Sequence, residues 1–517
     1  MATSLFGILN MSQRSIANNQ AALNIVSNNI SNMNNSTYSK QSVVLSSLPC
    51  YNSFRYCSSN GSLQIGSGAE ITAITRNRAQ WLDNYYREQN TSFGYYNQIG
   101  GMTNNIENML NNELSSTGLQ QKLSDFFSAS QSLTADPTNN AYRIAFVEAA
   151  QDVANMLNGM SSSLKNMREQ AVGTVGDPDS FAQSQIKMHT DELNNKLAQL
   201  AELNGKLAQS QAGGSCNNDL LDQRDALLDE ISQAIPLTTT TNTNGTVNVY
   251  IGNQAVVKGG EVKLTLNAVQ TDDEDNPVEI QLVDEDGKVK VDDITKDLSS
   301  GSLKAILDSG GVNGLTYKSV LNEIDKIAKA FAEEMNRIQT GTADGTIPYC
   351  IDENGQLTQA TEPIFIAEDG GDFTAGNIKI NPNLLQNPRL IATARGPADM
   401  DPNAVGNTTN LEKFNALEKQ KLSGLAVVAG VGNGQTLSEF ITGLVADVGA
   451  DIQTLNESYN SQNTILQQAE SQRGAYTGVD LNEELSDLIK FQRSYEASAR
   501  VFNVASQLME ILTQLGE

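Results

Sequence analysis

The sequence predicts a mainly α protein with inserted β-rich domains: paired terminal helices forming a coiled coil, a helical-bundle middle domain and outward β domains. Three observations carry this. Apolar residues recur every seven positions at both ends of the chain. Helical periodicity returns in separated stretches of the interior. Two interior segments switch to strand alternation punctuated by turn pairs.

At the N-terminal end, Leu9, Ile16, Leu23 and Ile30 repeat every seven residues, with Leu5, Val26 and Met33 on the neighbouring heptad position. Ser12 and Asn19 share that position, so the seam is imperfect. The spacing predicts a helix over 4–32. Residues 41–69 read as extended or loop, with Val43-Val44-Leu45 followed by a Gly/Ser-rich stretch. From about 75 to 210 the pattern is helical, broken at Asp136-Pro137 and at Gly176-Asp177-Pro178. Asp177 is placed to cap a helix carrying Ile186, Leu193, Leu197, Leu200, Leu203 and Leu207. A further helix over 217–234 stops at Pro236.

Strand signals follow: a Thr-rich run over 238–243, a turn at Asn244-Gly245, and alternating Val247, Val249 and Ile251. Glu279 to Val283 and Val289 to Val291 flank a turn at Asp286-Gly287. Helix returns over 302–339, and a second β-rich segment covers 345–395 with turns at Asn354-Gly355 and Gly370-Gly371. After Asp401-Pro402 the chain reads as helical, with breaks near 431–434 and 473–478. Leu481, Leu488, Tyr495, Phe502 and Met509 repeat every seven residues over 480–515, joined by Phe491, Ala505 and Leu512. Val501, Leu508 and Leu515 form another adjacent stripe.

The domain division this predicts has four parts. Residues 1–40 with 476–517 form the terminal coiled coil, and 41–235 with 295–344 and 406–475 form the helical core. Residues 236–294 and 345–405 are two β-rich insertions.

Composition narrows the function. With 34 Lys and Arg against 60 Asp and Glu, the net charge of −26 repels nucleic-acid phosphates and anionic lipid, so neither nucleic acid nor membrane is an expected partner. The ends differ: residues 1–69 hold three cations and no acid, whereas 479–517 hold seven acids and three cations. That complementarity favours pairing of the two terminal helices, although salt screens it at long range. The apolar surface such a pair can bury falls short of the cost of ordering it, so the ends are expected to consolidate only on assembly.

No stretch of about 18 apolar residues occurs, and the first residues lack a signal-peptide pattern. Cys50, Cys57, Cys216 and Cys350 lack zinc-site spacing. A Cys50–Cys57 disulfide would suit an oxidising setting; free thiols are the default.

Catalytic chemistry finds no anchor. His189 is the one histidine, which rules out an HExxH pair, and no GxSxG elbow or GxxxxGK[ST] loop is present. Asp272-Asp273-Glu274-Asp275 and Asp284-Glu285-Asp286-Gly287 lack the twelve-residue calcium-loop spacing and read as solvated turns. The chain is expected to be no enzyme, with no catalytic, cofactor-binding or metal residues.

Ala22-Leu23-Asn24-Ile25-Val26-Ser27-Asn28-Asn29-Ile30-Ser31-Asn32, followed by Tyr38-Ser39-Lys40-Gln41, resembles the N-terminal signature of flagellar rod, hook and hook-associated proteins. Thr37 stands where that group usually has Gly. Gly478 to Leu485 leading into Phe491 to Arg500 resembles the matching C-terminal signature. Within the chain, Leu220-Leu221-Asp222-Gln223-Arg224-Asp225, Ser300 to Leu307 and Phe331 to Asn336 resemble the hook-associated protein 1 (FlgK type) family. Gln339 occupies a place where members often have His.

The resemblance implies a structural subunit of the bacterial flagellum that joins hook to filament as a junction adaptor. It further implies extracellular location at that junction, flagellar type III export without a cleavable signal, and self-association into a ring. The implied partners are the hook protein, the second hook–filament junction protein and a cytoplasmic export chaperone bound to the C-terminal helix over 480–515. The subunit-interface residues expected from the heptad stripes are Leu9, Ile16, Leu23, Val26, Ile30, Leu481, Leu488, Phe491, Tyr495, Phe502, Ala505, Met509 and Leu512. The rival reading is an extracellular adhesin displayed on the flagellum, with the β insertions as binding modules.

Overall fold

The computed structural model describes residues 2–48, 68–113, 118–213, 217–341, 346–425 and 434–514. Cys50, Cys57 and Cys216 lie outside the described residues, so the disulfide reading does too; Cys350 is a buried free thiol. Among the described residues no helix is long and apolar enough to cross a membrane.

The chain opens with α1 (Ala2–Ser31), β1 (Gln41–Ser47) and β2 (Ala69–Arg76). Long helices follow: α2 (Gln80–Glu113), α3 (Leu119–Ala135), α4 (Asn140–Val172), the short α5 (Pro178–Ala182), α6 (Gln185–Ala212) and α7 (Asn218–Ala234). The first β segment holds β3 (Thr238–Thr241), β4 (Val247–Ile251), β5 (Gln254–Lys258), β6 (Glu261–Val262), β7 (Thr265–Gln270), β8 (Val278–Val283) and β9 (Val289–Val291). Helices α8 (Ser302–Gly310) and α9 (Tyr317–Thr340) precede β10 (Ile347–Ile351), β11 (Leu357–Gln359), β12 (Phe365–Ala367), β13 (Ile378–Ile380), α10 (Pro382–Gln386) and β14 (Ala394–Gly396). The chain closes with α11 (Thr409–Ala416), α12 (Leu437–Thr477) and α13 (Leu481–Gln514). The fold is thus mainly α, with long terminal helices packed on each other and small sheets inserted between helices.

The described elements fall into two compact units, to both of which α2, α6 and α12 contribute. One comprises residues 1–93, 193–265 and 462–517. In it β1 and β2 form an antiparallel ribbon, and β3-β4-β5-β6 form a four-stranded sheet. The β3–β4 turn needs Gly245, whose φ of +77° is left-handed. Val247, Val249 and Ile251 are buried, and the Asn204 amide on α6 clamps the sheet by donating to Val247 O and Gly259 O at 2.8 Å each.

The other unit comprises residues 94–192 and 266–461, and it contains β7-β8-β9, β11-β10-β14 and β12-β13. Five phenylalanine rings form its centre: Phe126 on α3, Phe146 on α4, Phe331 on α9, Phe365 on β12 and Phe414 on α11. Successive centroids lie 5.0 Å (Phe126–Phe146), 5.5 Å (Phe126–Phe331), 5.5 Å (Phe146–Phe414) and 5.3 Å (Phe331–Phe365) apart, in tilted and edge-on geometries that favour aromatic contact. Beside them Arg143 is buried with carbonyls as partners, donating to Pro137 O at 2.9 Å and Ile391 O at 3.1 Å. Burial pushes its guanidinium down to about 10.

Four local features depart from the sequence reading. Asp177 does cap a helix, accepting from Asp179 N and Ser180 N, but that helix is α5 alone. The Ser184 hydroxyl donates to Phe181 O at this break, and the leucine stripe belongs to a separate helix, α6. The 302–339 stretch is two helices, because Gly314 takes a positive φ and Thr316 with Ser319 forms a capping box that starts α9. Strands β2 and β5 to β7 lacked a clean alternation. Helix α12 absorbs Gly474 and continues to Thr477, so the break expected over 473–478 begins only at Gly478. The other expected break, near 431–434, falls almost wholly outside the described residues.

Candidate assembly surface

Helices α1 and α13 pack along each other. Two contacts set their direction: Asn29 Nδ2 donates to Glu484 Oε2 at 3.0 Å, and Ser15 Oγ meets Ser498 Oγ at 2.8 Å. Moving back from 29 to 15 on one helix moves forward from 484 to 498 on the other, so the pair is antiparallel. That register sets Leu23 level with Phe491, Ile16 level with Tyr495 to Ser498, and Leu9 level with Ala505.

The seam residues sit on this contact unequally. Val26 and Ala505 are buried. Leu9, Ile16, Leu23, Ile30, Leu488, Phe491, Tyr495, Phe502 and Met509 are half-buried. Leu481 and Leu512 remain 38% and 36% exposed at the two ends. The expected interface residues therefore chiefly line a contact within one chain.

A second apolar face on α13 is uncovered. Leu485, Ile489, Val501, Val504, Leu508 and Ile511 are all exposed, and the last four follow i, i+3, i+7, i+10 spacing. This includes the Val501 and Leu508 stripe visible in the sequence; Leu515 lies outside the described residues.

One end of the pair, where α1 finishes and α13 begins, is fixed by polar chemistry that the hydrophobic pattern does not reveal. Asn29 is 1% exposed and uses its whole amide: Oδ1 accepts from Gln41 N at 3.0 Å and Tyr38 Oη at 2.7 Å, while Nδ2 donates to Gln41 O and Glu484. Lys40 Nζ reaches Glu483 at 2.8 Å and the buried Glu484 at 3.0 Å. Burial alone would lower the Lys40 ammonium, but its bonds to Glu483 and Glu484 outweigh that and raise it. Lys40 N also donates to Thr477 O at 2.8 Å. The Tyr38 hydroxyl is pushed up to about 12, first by burial and then by Asp222, Asp219 and Glu484.

Helix α7 supplies the other half of this lock. Asp222, Asp225 and Asp229 recur at i, i+3, i+7 and so share one face. Asp222 accepts from Ser39 Oγ at 2.7 Å and Arg76 Nη1 at 2.6 Å. Asp225 takes Arg76 at 3.0 Å and Arg224 at 2.7 Å. Asp229 takes Arg87 at 2.8 Å and Arg473 at 2.5 Å, and that guanidinium also covers the Tyr86 ring at 3.6 Å. Asp225 is held at about 2: burial raises it, and the surrounding arginines more than reverse that. The Leu220 to Asp225 motif thus anchors the segment after α1, and Asp229, one turn further along α7, anchors the end of α12.

Elsewhere, polar groups serve structure. Asp273 accepts from Asp275 N, Glu274 pairs with Lys318 at 3.0 Å, and Asp284 pairs with Lys290 at 2.8 Å. Among the described residues no three His, Cys, Asp or Glu side chains gather as a metal-binding group. His189 is half-buried on α6.

Known proteins are similar to this chain in sequence and in fold. A family model described as the flagellar hook-associated protein FlgK helical domain matches residues 103–347. A second, described as the flagellar basal body rod FlgEFG protein C-terminal, matches residues 475–515, the end of α12 and all of the described α13. Flagellar hook-associated protein 1 of Bacillus subtilis is 26% identical, with 98% of each chain covered. Over nearly its whole length the chain is similar to members of the hook-associated protein 1 family. The Salmonella typhimurium relative of that name is also 26% identical, over 96% of this chain and 97% of its own. A solved structure titled as the flagellar hook junction protein FlgK from Burkholderia pseudomallei shares the fold, with a TM-score of 0.56 at 12% identity over 75% of this chain and 99% of that one. The hook-associated family is structural and not known as enzymatic, and the similarity supports a structural role at the flagellar hook.

Proposed function

We propose that the chain is a junction adaptor joining hook to filament. The observation that carries this is the two-faced α13: one apolar stripe packs on α1, and a second at Val501, Val504, Leu508 and Ile511 is uncovered. A helix that satisfies one seam within its own chain and presents another suits a lattice in which each copy completes its neighbour. The B. pseudomallei protein, titled a hook junction protein, supports the placement by its shared fold.

In this reading copies form a ring through the terminal helices, the uncovered α13 face of each meeting its neighbour, with hook protein on one side and the second junction protein on the other. Residues 1–40 with 476–517 act as the assembly domain, 41–235 with 295–344 and 406–475 as the helical core, and 236–294 and 345–405 as insertions. Export proceeds unfolded through the flagellar type III apparatus to the cell exterior, with a chaperone covering the apolar faces of 480–515 beforehand. Deleting 476–517 tests the adaptor role: incorporation at the hook end is expected to vanish while the middle helices keep their circular dichroism. Motile cells with complete filaments carrying that truncation would defeat it.

A further inference from the structure

The lock around α7 borders a half-open cavity of about 160 Å³ whose walls include Arg76, Arg78, Arg87 and Arg224. All four side chains are largely buried, at 10%, 14%, 7% and 8% exposure. In a chain of net charge −26 this concentration of guanidinium is a local reversal. Five arginines, counting Arg473, meet four carboxylates, Asp83, Asp222, Asp225 and Asp229, which leaves one cation in excess.

The donors are also in excess. Arg76 uses only Nη1, to Asp222 and Asp225. Arg87 uses Nε to Asp229 and Nη2 to Asp225 O. Among the described residues, Arg76 Nε and Nη2 and Arg87 Nη1 have no protein acceptor. Burial foremost, with Arg76 and Arg87 adding to it, holds the Arg224 guanidinium below its usual range against the pull of Asp225. An acceptor of opposite charge in the cavity would relieve both the unused donors and the crowding of cations.

We propose that this cavity binds a tetrahedral oxyanion, inorganic phosphate or sulfate, on the unused donors of Arg76 and Arg87. Guanidinium forks match two oxygens of such an ion, and the volume is enough for one small ion. The ion would tie β2, α2 and α7 together, since those elements carry the arginines.

Gln80 provides the test. It lines the cavity, is exposed, and its side chain makes no hydrogen bond among the described residues, so altering it leaves the arginine–carboxylate pairs intact. Gln80→Glu sets a negative charge at the cavity wall in the first turn of α2, where an acid is compatible with the helix. Gln80→Ala changes shape without charge. Inorganic phosphate is titrated with full-length chain, its phosphorus-31 line width is followed, and sulfate is then added as competitor. The expected result is broadening that saturates at one phosphate per chain, reversal by sulfate but not by chloride at equal ionic strength, and retention in Gln80→Ala. Gln80→Glu is expected to weaken binding about tenfold or more, since like charges a few ångströms apart in a half-buried site repel by more than 1.4 kcal/mol. Absence of broadening in the wild type, equal broadening in Gln80→Glu, or loss in both variants would overturn the assignment.

Discussion

Helices α4 and α13 are nearly equal in length, at 33 and 34 residues, yet α4 buries twelve side chains and α13 buries two, Glu484 and Ala505. The difference is not one of apolar content, because α13 carries Val504, Leu508 and Ile511 about half exposed. It lies in how much partner surface one chain supplies. Helix α4 is packed by α3, α8 and α9 within its own unit, whereas α13 has α1 along one side. The first is finished by folding; the second, on the proposed reading, is left for assembly to finish.

The largest test of that contrast removes a ring from the finished core. Phe331 is 0% exposed and touches Phe126 and Phe365. Phe331→Ala is expected to cost ~3–5 kcal/mol, read as a lower urea midpoint of the helical signal in the purified monomer. A change below about 1 kcal/mol would show that this core is no better packed than the terminal pair.

Next in size is the lock. Asp222→Ala strips Arg76 and Ser39 of a buried partner, for an expected local loss of ~3 kcal/mol. Hydrogen exchange should rise at residues 39–41 and 76–78 while α3, α4 and α9 keep their protection. Asp222→Asn should restore part of it, since the amide oxygen still accepts from Ser39. Acid acts on the same cluster through Asp225. Its folded carboxyl lies at about 2, below the ordinary 3.8, so its contribution is complete above pH 4 and is lost as pH falls through 2. The difference amounts to about 2 kcal/mol. Denaturation midpoints between pH 5 and 2 should show this loss in the wild type and a flatter profile in Asp225→Asn.

How much of this was legible in the sequence follows the same division. Seven-residue stripes announced α1 and α13 to within two residues, because long periodic helices depend on local spacing. Turn pairs such as Asn244-Gly245 and Asn354-Gly355 announced their hairpins, since Gly245 and Gly355 must adopt positive φ. The lock was not legible. Asn29, Lys40, Asp222 and Glu484 are far apart in sequence, and nothing in apolar periodicity says that they meet. The signal available was their place inside the quoted motifs, where charged and amide residues stand beside apolar ones. The exposed α13 face was written in the sequence as Val501 and Leu508, but only the structure shows which of two adjacent stripes α1 covers.

The smallest expected effect on the monomer discriminates best. Leu508 is 46% exposed on the face away from α1, so Leu508→Asp should shift monomer stability by no more than about 0.5 kcal/mol. A carboxylate there must be desolvated if another helix packs on it, and an unpaired buried charge is costly enough to block that contact. Incorporation at the hook end should therefore fail although the monomer is as stable as the wild type. Phe502→Ala, on the half-buried seam, should instead loosen the α1 contact and raise hydrogen exchange in both terminal helices before assembly begins. If Leu508→Asp assembles normally, the exposed stripe is not an interface and α13 is simply a sparsely packed helix. If it fails to assemble with an unchanged monomer, exposure on this helix is a property of the isolated subunit alone.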